Sequence, residues 1–105
     1  MIIQINTDVH IENNARTTDH FSELVSKDLD HYAEHLTRVE VHFSDINAGK
    51  SGPEDKKCVI EARMKNREPL AVTAQDEALE KAFSSAMDKV KSSMRTIVGK
   101  MQEKR

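Results

Sequence analysis

Apolar and polar residues alternate from the start of the chain, Ile3 and Ile5 against Gln4 and Asn6. A period of two describes a strand with one buried face, so residues 1–9 predict a first strand, followed by a polar turn near 12–14. Thr17 and Thr18 are suited to cap a helix, and Asp19 suits its positive end. Phe21, Leu24, Val25, Leu29, Tyr32 and Leu36 then recur at helical spacing. They predict an amphipathic helix over 18–36 whose outer face is acidic through Glu23, Asp28, Asp30 and Glu34.

Val39, Val41 and Phe43 alternate with Glu40 and His42 and predict a second strand. Gly49, Ser51, Gly52 and Pro53 mark a loop over 48–54. Val59, Ile60, Ala62 and Met64 predict a third strand, with Glu61, Arg63 and Lys65 turned the other way. Residues 66–69 form a turn, and 69–73 a short fourth strand. Thr73 is placed to cap the helix that follows, with Asp76 three residues on in the capping-box position. Leu79, Phe83, Met87, Val90, Met94, Ile97 and Met101 make one stripe at spacings of three and four, a long last helix that Gly99 weakens near its end.

The expected fold is an α+β two-layer sandwich of order βαβββα. Strands two to four are joined by short connections and form an antiparallel meander. The helical crossover from strand one to strand two favours parallel pairing. Both helices then cover one face of a four-stranded sheet, and the other face meets solvent.

At 105 residues the chain is read as one domain over 1–105. Its single cysteine, Cys58, cannot form an internal bridge, which fits a reducing compartment. No apolar run approaches the roughly 18 residues of a membrane span, and the start lacks the basic and apolar blocks of a signal peptide. A soluble cytoplasmic protein is expected, with no membrane partner.

Charge changes this picture most. The net charge is -2, yet seven of the 16 basic residues fall in the last 25 positions: Lys81, Lys89, Lys91, Arg95, Lys100, Lys104 and Arg105. Residues 1–48 hold only Arg16, Lys27 and Arg38 against nine acids. On a helical wheel Lys81, Lys91 and Arg95 occupy the outer face and one shoulder, and Lys89 and Lys100 the other shoulder. Ser84, Ser85, Ser92 and Thr96 lie between them and can hydrogen-bond phosphate. Either the segment is a solvated helix with cations suited to its negative end, or it is a face for an anionic partner. Arg63, Lys65 and Arg67 extend the charge along one sheet face, which reads first as an ordinary solvent face.

Other chemistry finds less support. His31 and His35 have the spacing of a helical zinc pair, but no third ligand stands at a motif spacing, so no metal is assigned. Three glycines form no phosphate loop, no nucleophile signature occurs, and Cys58 reads as a structural thiol. An enzyme is not expected, nor a cofactor or small-molecule substrate. Phe21, Tyr32 and Phe83 sit on core stripes, so a platform of rings for stacking bases is not expected either.

Thr18-Asp-His-Phe-Ser-Glu-Leu-Val25, Leu36-Thr-Arg-Val-Glu-Val-His-Phe43 and Ala82-Phe-Ser-Ser-Ala-Met-Asp-Lys-Val90 appear in that order. Together they resemble the ribosome hibernation promoting factors, also called ribosome-associated inhibitors or sigma-54 modulation proteins, over nearly the whole chain. The resemblance implies a fold like that of double-stranded RNA-binding domains. It implies a protein, monomeric off the ribosome, that binds ribosomal RNA of the small ribosomal subunit and blocks the messenger and transfer RNA channel. It also implies the short form of the family. Lys89, Lys100 and Arg38 fall on basic positions of the family pattern. The expected RNA-binding set is Lys81, Lys89, Lys91, Arg95, Lys100, Arg38, Arg63 and Lys65. Asp28 and His31 stand where the family's first helix is usually basic, and Ser92, Thr96 and Val98 at basic positions of its last helix. The alternative is a divergent member acting as a protein-binding regulator through its acidic first helix.

Overall fold

The structure, a computed structural model, describes residues 1–8, 11, 15–46 and 56–103. Strand β1 (Ile2–Thr7) is followed by helix α1 (Ala15–Asp28) and a 3-10 turn (Asp30–His35). Strands β2 (Leu36–Asp45), β3 (Lys56–Met64) and β4 (Leu70–Asp76) follow, and helix α2 (Leu79–Glu103) closes the chain. The sheet order is β1-β2-β3-β4, with β1 parallel to β2 and the other pairs antiparallel. This is the expected βαβββα two-layer arrangement. The expected turn over 12–14 and loop over 48–54 lie outside the described residues, as do Lys104 and Arg105.

Alternation sorts the sheet into two faces. Ile3 and Ile5, Val39, Val41 and Phe43, Cys58, Ile60, Ala62 and Met64, and Leu70, Val72 and Ala74 point into the core. Both helices pack on that side. From α1 come the buried Phe21 and Val25, and from α2 Ala82, Phe83, Ala86, Met87, Val90, Met94 and Val98. Phe21, Phe43 and Phe83 form one aromatic cluster, with ring centroids 4.7 Å (Phe21–Phe43), 4.9 Å (Phe21–Phe83) and 6.2 Å (Phe43–Phe83) apart. It joins α1, β2 and α2 at a single point.

Three boundaries differ from expectation. The first helix stops at Asp28 instead of running to Leu36. Leu29 and Tyr32 suit a three-residue period as well as an α-helical one, and the Tyr32 amide donates to the Leu29 carbonyl at 2.9 Å, a 3-10 bond. Asp28, Asp30 and His31 are poor helix formers, which favours the break. Thr17 and Thr18 lie inside the first turn of α1 rather than before it.

Thr73 does not cap α2. The inward alternation Leu70, Val72, Ala74 carries β4 on to Asp76, and Thr73 sits mid-strand opposite Val59. Asp76 instead forms an Asx turn just ahead of α2, its Oδ1 accepting the Ala78 amide at 3.3 Å. α2 continues past Gly99 to Glu103.

Cys58 has no exposed surface, and burial pushes its thiol up to about 12. The thiolate is the reactive form, so native protein at mildly alkaline pH is expected to resist a thiol reagent. Labelling should proceed only as the domain unfolds and should accelerate with added urea. Fast stoichiometric labelling of native protein would contradict this burial.

Candidate nucleic-acid interface

The cations of α2 divide by the side of the helix they leave. Glu80, Ser84, Met87 and Lys91 follow one another at spacings of four, three and four, along the side of α2 turned toward α1. That side is fixed by two contacts. His20 Nε2 lies 2.9 Å from Glu80 Oε1, and Phe21 packs on Phe83. Arg95 continues one turn beyond Lys91, and Lys81 lies on the outermost face; both are exposed. Lys91 is loosely paired with Asp88 at 3.8 Å. Ser84, Ser85, Ser92 and Thr96 are exposed among these cations, as their wheel positions require.

Lys89 and Lys100 leave on the opposite side, and Lys89 stands above the β4 edge. Lys89 Nζ donates to the Thr73 carbonyl at 2.6 Å. Sheet edges present unpaired carbonyls, and a lysine placed over one both satisfies it and blocks pairing with another strand. Lys89 therefore has a structural bond that the sequence pattern does not reveal. Lys65 lies in the β3–β4 turn and faces the last turns of α2 across a cleft, with Arg67 beside it.

Arg38 and Arg63 stand elsewhere, on the open face of the sheet. Arg38 lies directly opposite Arg63, and Glu40 directly opposite Glu61. Like charges facing across strands are unfavourable, and the side chains resolve this along each strand. Arg38 Nε donates to Glu40 Oε2 at 2.8 Å, and Arg63 Nε donates to Glu61 Oε1 at 2.7 Å. Arg38 also donates to the Gln4 side chain, and His42 Nε2 lies 3.4 Å from Glu40 Oε1. The Arg38 bond, with Arg63 and His42 nearby, holds the Glu40 carboxyl below its ordinary range, while bonding to Glu61 raises Arg63. This face is a compensated ion network on the far side of the sheet from α2.

The acidic first helix is corrected by the break at Asp28. Asp30 and Glu34 belong to the 3-10 turn, and Asp28 is the half-buried last residue of α1. The charged residues exposed on α1 itself are Arg16, Asp19, Glu23 and Lys27, a balanced set. Lys27 stands two turns on from His20, on the same side of α1. Helical spacing thus puts Lys27 on the side of α1 turned toward α2, and Lys91 on the side of α2 turned toward α1. Sequence reasoning missed Lys27 and Arg16 because it ran the helix through the acids of the 3-10 turn.

The same winding separates His31 from His35. Residues four apart on a 3-10 helix point about 120° from each other, which is no geometry for a shared ligand. His31 instead packs edge-on against Tyr32, and His35 Nε2 lies 3.5 Å from Glu34. Among the described residues no group of three or more His, Cys, Asp or Glu side chains could hold a metal ion. No helix among them is long and apolar enough to cross a membrane.

A mixed four-stranded sheet in βαβββα order with its helices packed on one face matches the hibernation-factor fold. The sequence profile described as sigma 54 modulation protein / S30EA ribosomal protein matches residues 4–102, and the chain belongs to this family. The family is one of ribosome-associated modulation factors rather than an enzyme class. Two solved structures share the fold. The Protein Y N-terminal domain of Thermus thermophilus superimposes with a TM-score of 0.72 at 17% identity, covering 92% of this chain and 99% of that one. A ribosomal subunit interface protein from Coxiella burnetii gives 0.69 at 13% identity, covering 94% and 99%. No curated protein matches the chain.

Proposed function

We propose that the protein is a cytoplasmic hibernation factor, a monomer off the ribosome, that binds ribosomal RNA of the small subunit and occupies the channel of messenger and transfer RNA. Family membership and a structural relative named for the ribosomal subunit interface support a ribosomal partner. The observation that carries the RNA reading is the helix layer. Lys81, Lys91, Arg95 and Lys100 stand on α2 with exposed hydroxyls among them, and helical spacing puts Lys27 on the His20 side of α1, the side turned toward α2. Cations with interspersed hydroxyls are the usual partners of a phosphate backbone, and such contacts position a protein without reading sequence. The described aromatic side chains other than the half-buried Tyr32 lie in the core, which favours shape and charge over base stacking.

The mechanism is exclusion. Bound in the channel, the helix layer takes the phosphate surface that messenger and transfer RNA need, so idle subunits are held closed to initiation. A competition experiment tests it. Small subunits preloaded with messenger and initiator transfer RNA should lose binding of this protein, and empty subunits should retain it. Equal binding to filled and empty subunits would place the protein outside the channel.

A further inference from the structure

A cleft of about 350 Å³ opens at one end of the two layers, between the end of the 3-10 turn, the β3–β4 turn and the last turns of α2. Its floor is largely thioether, with Met64 from β3 and Met94 and Met101 from α2. Met64 and Met94 are 8% and 0% exposed, whereas Met101, the next member of the seven-residue series Met87–Met94–Met101, is 39% exposed. The apolar stripe that packs α2 on the sheet therefore runs on into an uncovered surface. Methionine is flexible and polarizable, and such surfaces accept varied apolar partners.

The rim is basic. Lys65 and Arg67 are exposed on the β3–β4 turn, and neither forms an ion pair among the described residues. The turn is fixed by the left-handed Asn66 (φ 59°) and by the Lys65 amide, which donates to the His35 carbonyl at 3.3 Å. The cations are thus carried on a defined backbone, which lowers the ordering cost of binding. The one rim carboxylate among the described residues, Glu34, lies beside His35 at 3.5 Å.

We propose that this cleft docks an acidic amphipathic segment of a partner protein, which seats a large apolar side chain on the methionine floor and sets Asp or Glu against Lys65 and Arg67. Charge complementarity selects this occupant. A second copy in a two-fold contact would bring Lys65 and Arg67 toward the same residues of its partner. RNA would find the cations but gain nothing from the methionines, and among the described residues the half-buried His35 imidazole is the one ring at the cleft, with no Phe, Tyr or Trp to serve as a stacking platform. The proposal stands apart from ribosome binding, because its surface lies beyond the groove between the helices.

The test uses the full chain with carbon-13-labelled methionine methyl groups, titrated with three probes. These are a short amphipathic peptide of Leu and Glu, the same peptide with Lys for Glu, and a single-stranded oligouridylate. The Glu peptide should shift the Met101 and Met64 methyls and leave Met1 in place. Lys65→Glu with Arg67→Glu should weaken it roughly tenfold or more, as broken charge complementarity does. Met101→Glu, at an exposed position, should abolish the shifts at Met64 while the thermal midpoint is retained. No Met101 shift with the Glu peptide, or an equal shift with the Lys peptide, overturns the proposal. A stronger response to the oligouridylate also overturns it and assigns the cleft to nucleic acid. Ribosome binding of the Met101 variant, measured in parallel, separates failure here from failure of the ribosome reading.

Discussion

Phe83→Ala is expected to remove about 3–5 kcal/mol of folding stability, the range for deleting a buried aromatic ring. Phe83 is 3% exposed and touches both Phe21 and Phe43, so its loss opens a cavity where α1, β2 and α2 meet. The two helices also meet through an exposed hydrogen bond between His20 and Glu80, and an exposed polar pair contributes little. The alanine cavity therefore loosens the seating of both helices. A domain of this size has about 5–15 kcal/mol in total, so the variant stands near the edge of unfolding. Urea denaturation should show a lower midpoint with an unchanged slope. A loss under about 1 kcal/mol would show that the site can collapse around the missing ring, and would contradict the cluster's role as the joint between the layers.

The aromatic joint also explains why the fold could be read from sequence. Ile3, Ile5, Val39, Val41, Phe43, Ile60 and Ala62 keep a strict period of two, and each faces the core as that period demands. The α2 stripe keeps a period of 3.6 and buries Phe83, Met87, Val90 and Met94. Errors arose where two physical readings share one pattern. Leu29 and Tyr32, three residues apart, satisfy α-helical and 3-10 spacing alike, and the Leu29–Tyr32 bond decides between them. Thr73 is both a good cap and a good strand residue, and its pairing with β3 made it the latter.

The candidate site was legible only in part, for a related reason. Helical periodicity places Lys81, Lys91 and Arg95 on the exposed side of α2, and no tertiary knowledge is needed for that. What each cation bonds to is a tertiary fact. Lys89 reaches the Thr73 carbonyl only because β4 is an edge strand beneath it. Arg38 and Arg63 are drawn into ion pairs by the β2–β3 register, which sets arginine against arginine and glutamate against glutamate. Lys27 stands out as an exposed cation of α1 once the acids of the 3-10 turn are separated from that helix.

Reversing charge at Lys27, Lys91 and Arg95 together has the second large effect. All three are surface residues, so circular dichroism and the thermal midpoint should change little. If each cation neutralises one phosphate, the slope of log affinity against log salt should become shallower by about three, one for each phosphate no longer neutralised. Arg38→Gln with Arg63→Gln, on the opposite face of the sheet, should leave that slope unchanged. The pair of variants thus separates the helix layer from the open face as the ribosome-facing surface, whatever the absolute affinity.

The most direct test of the account is sedimentation of the purified protein with small ribosomal subunits through sucrose gradients at low and high salt. The account predicts that the wild type travels with the small subunit at low salt and is released at high salt, and that the Lys27, Lys91 and Arg95 reversal stays at the top of both gradients. A wild type that remains at the top at low salt, or a triple variant that still travels with the subunit, would contradict it.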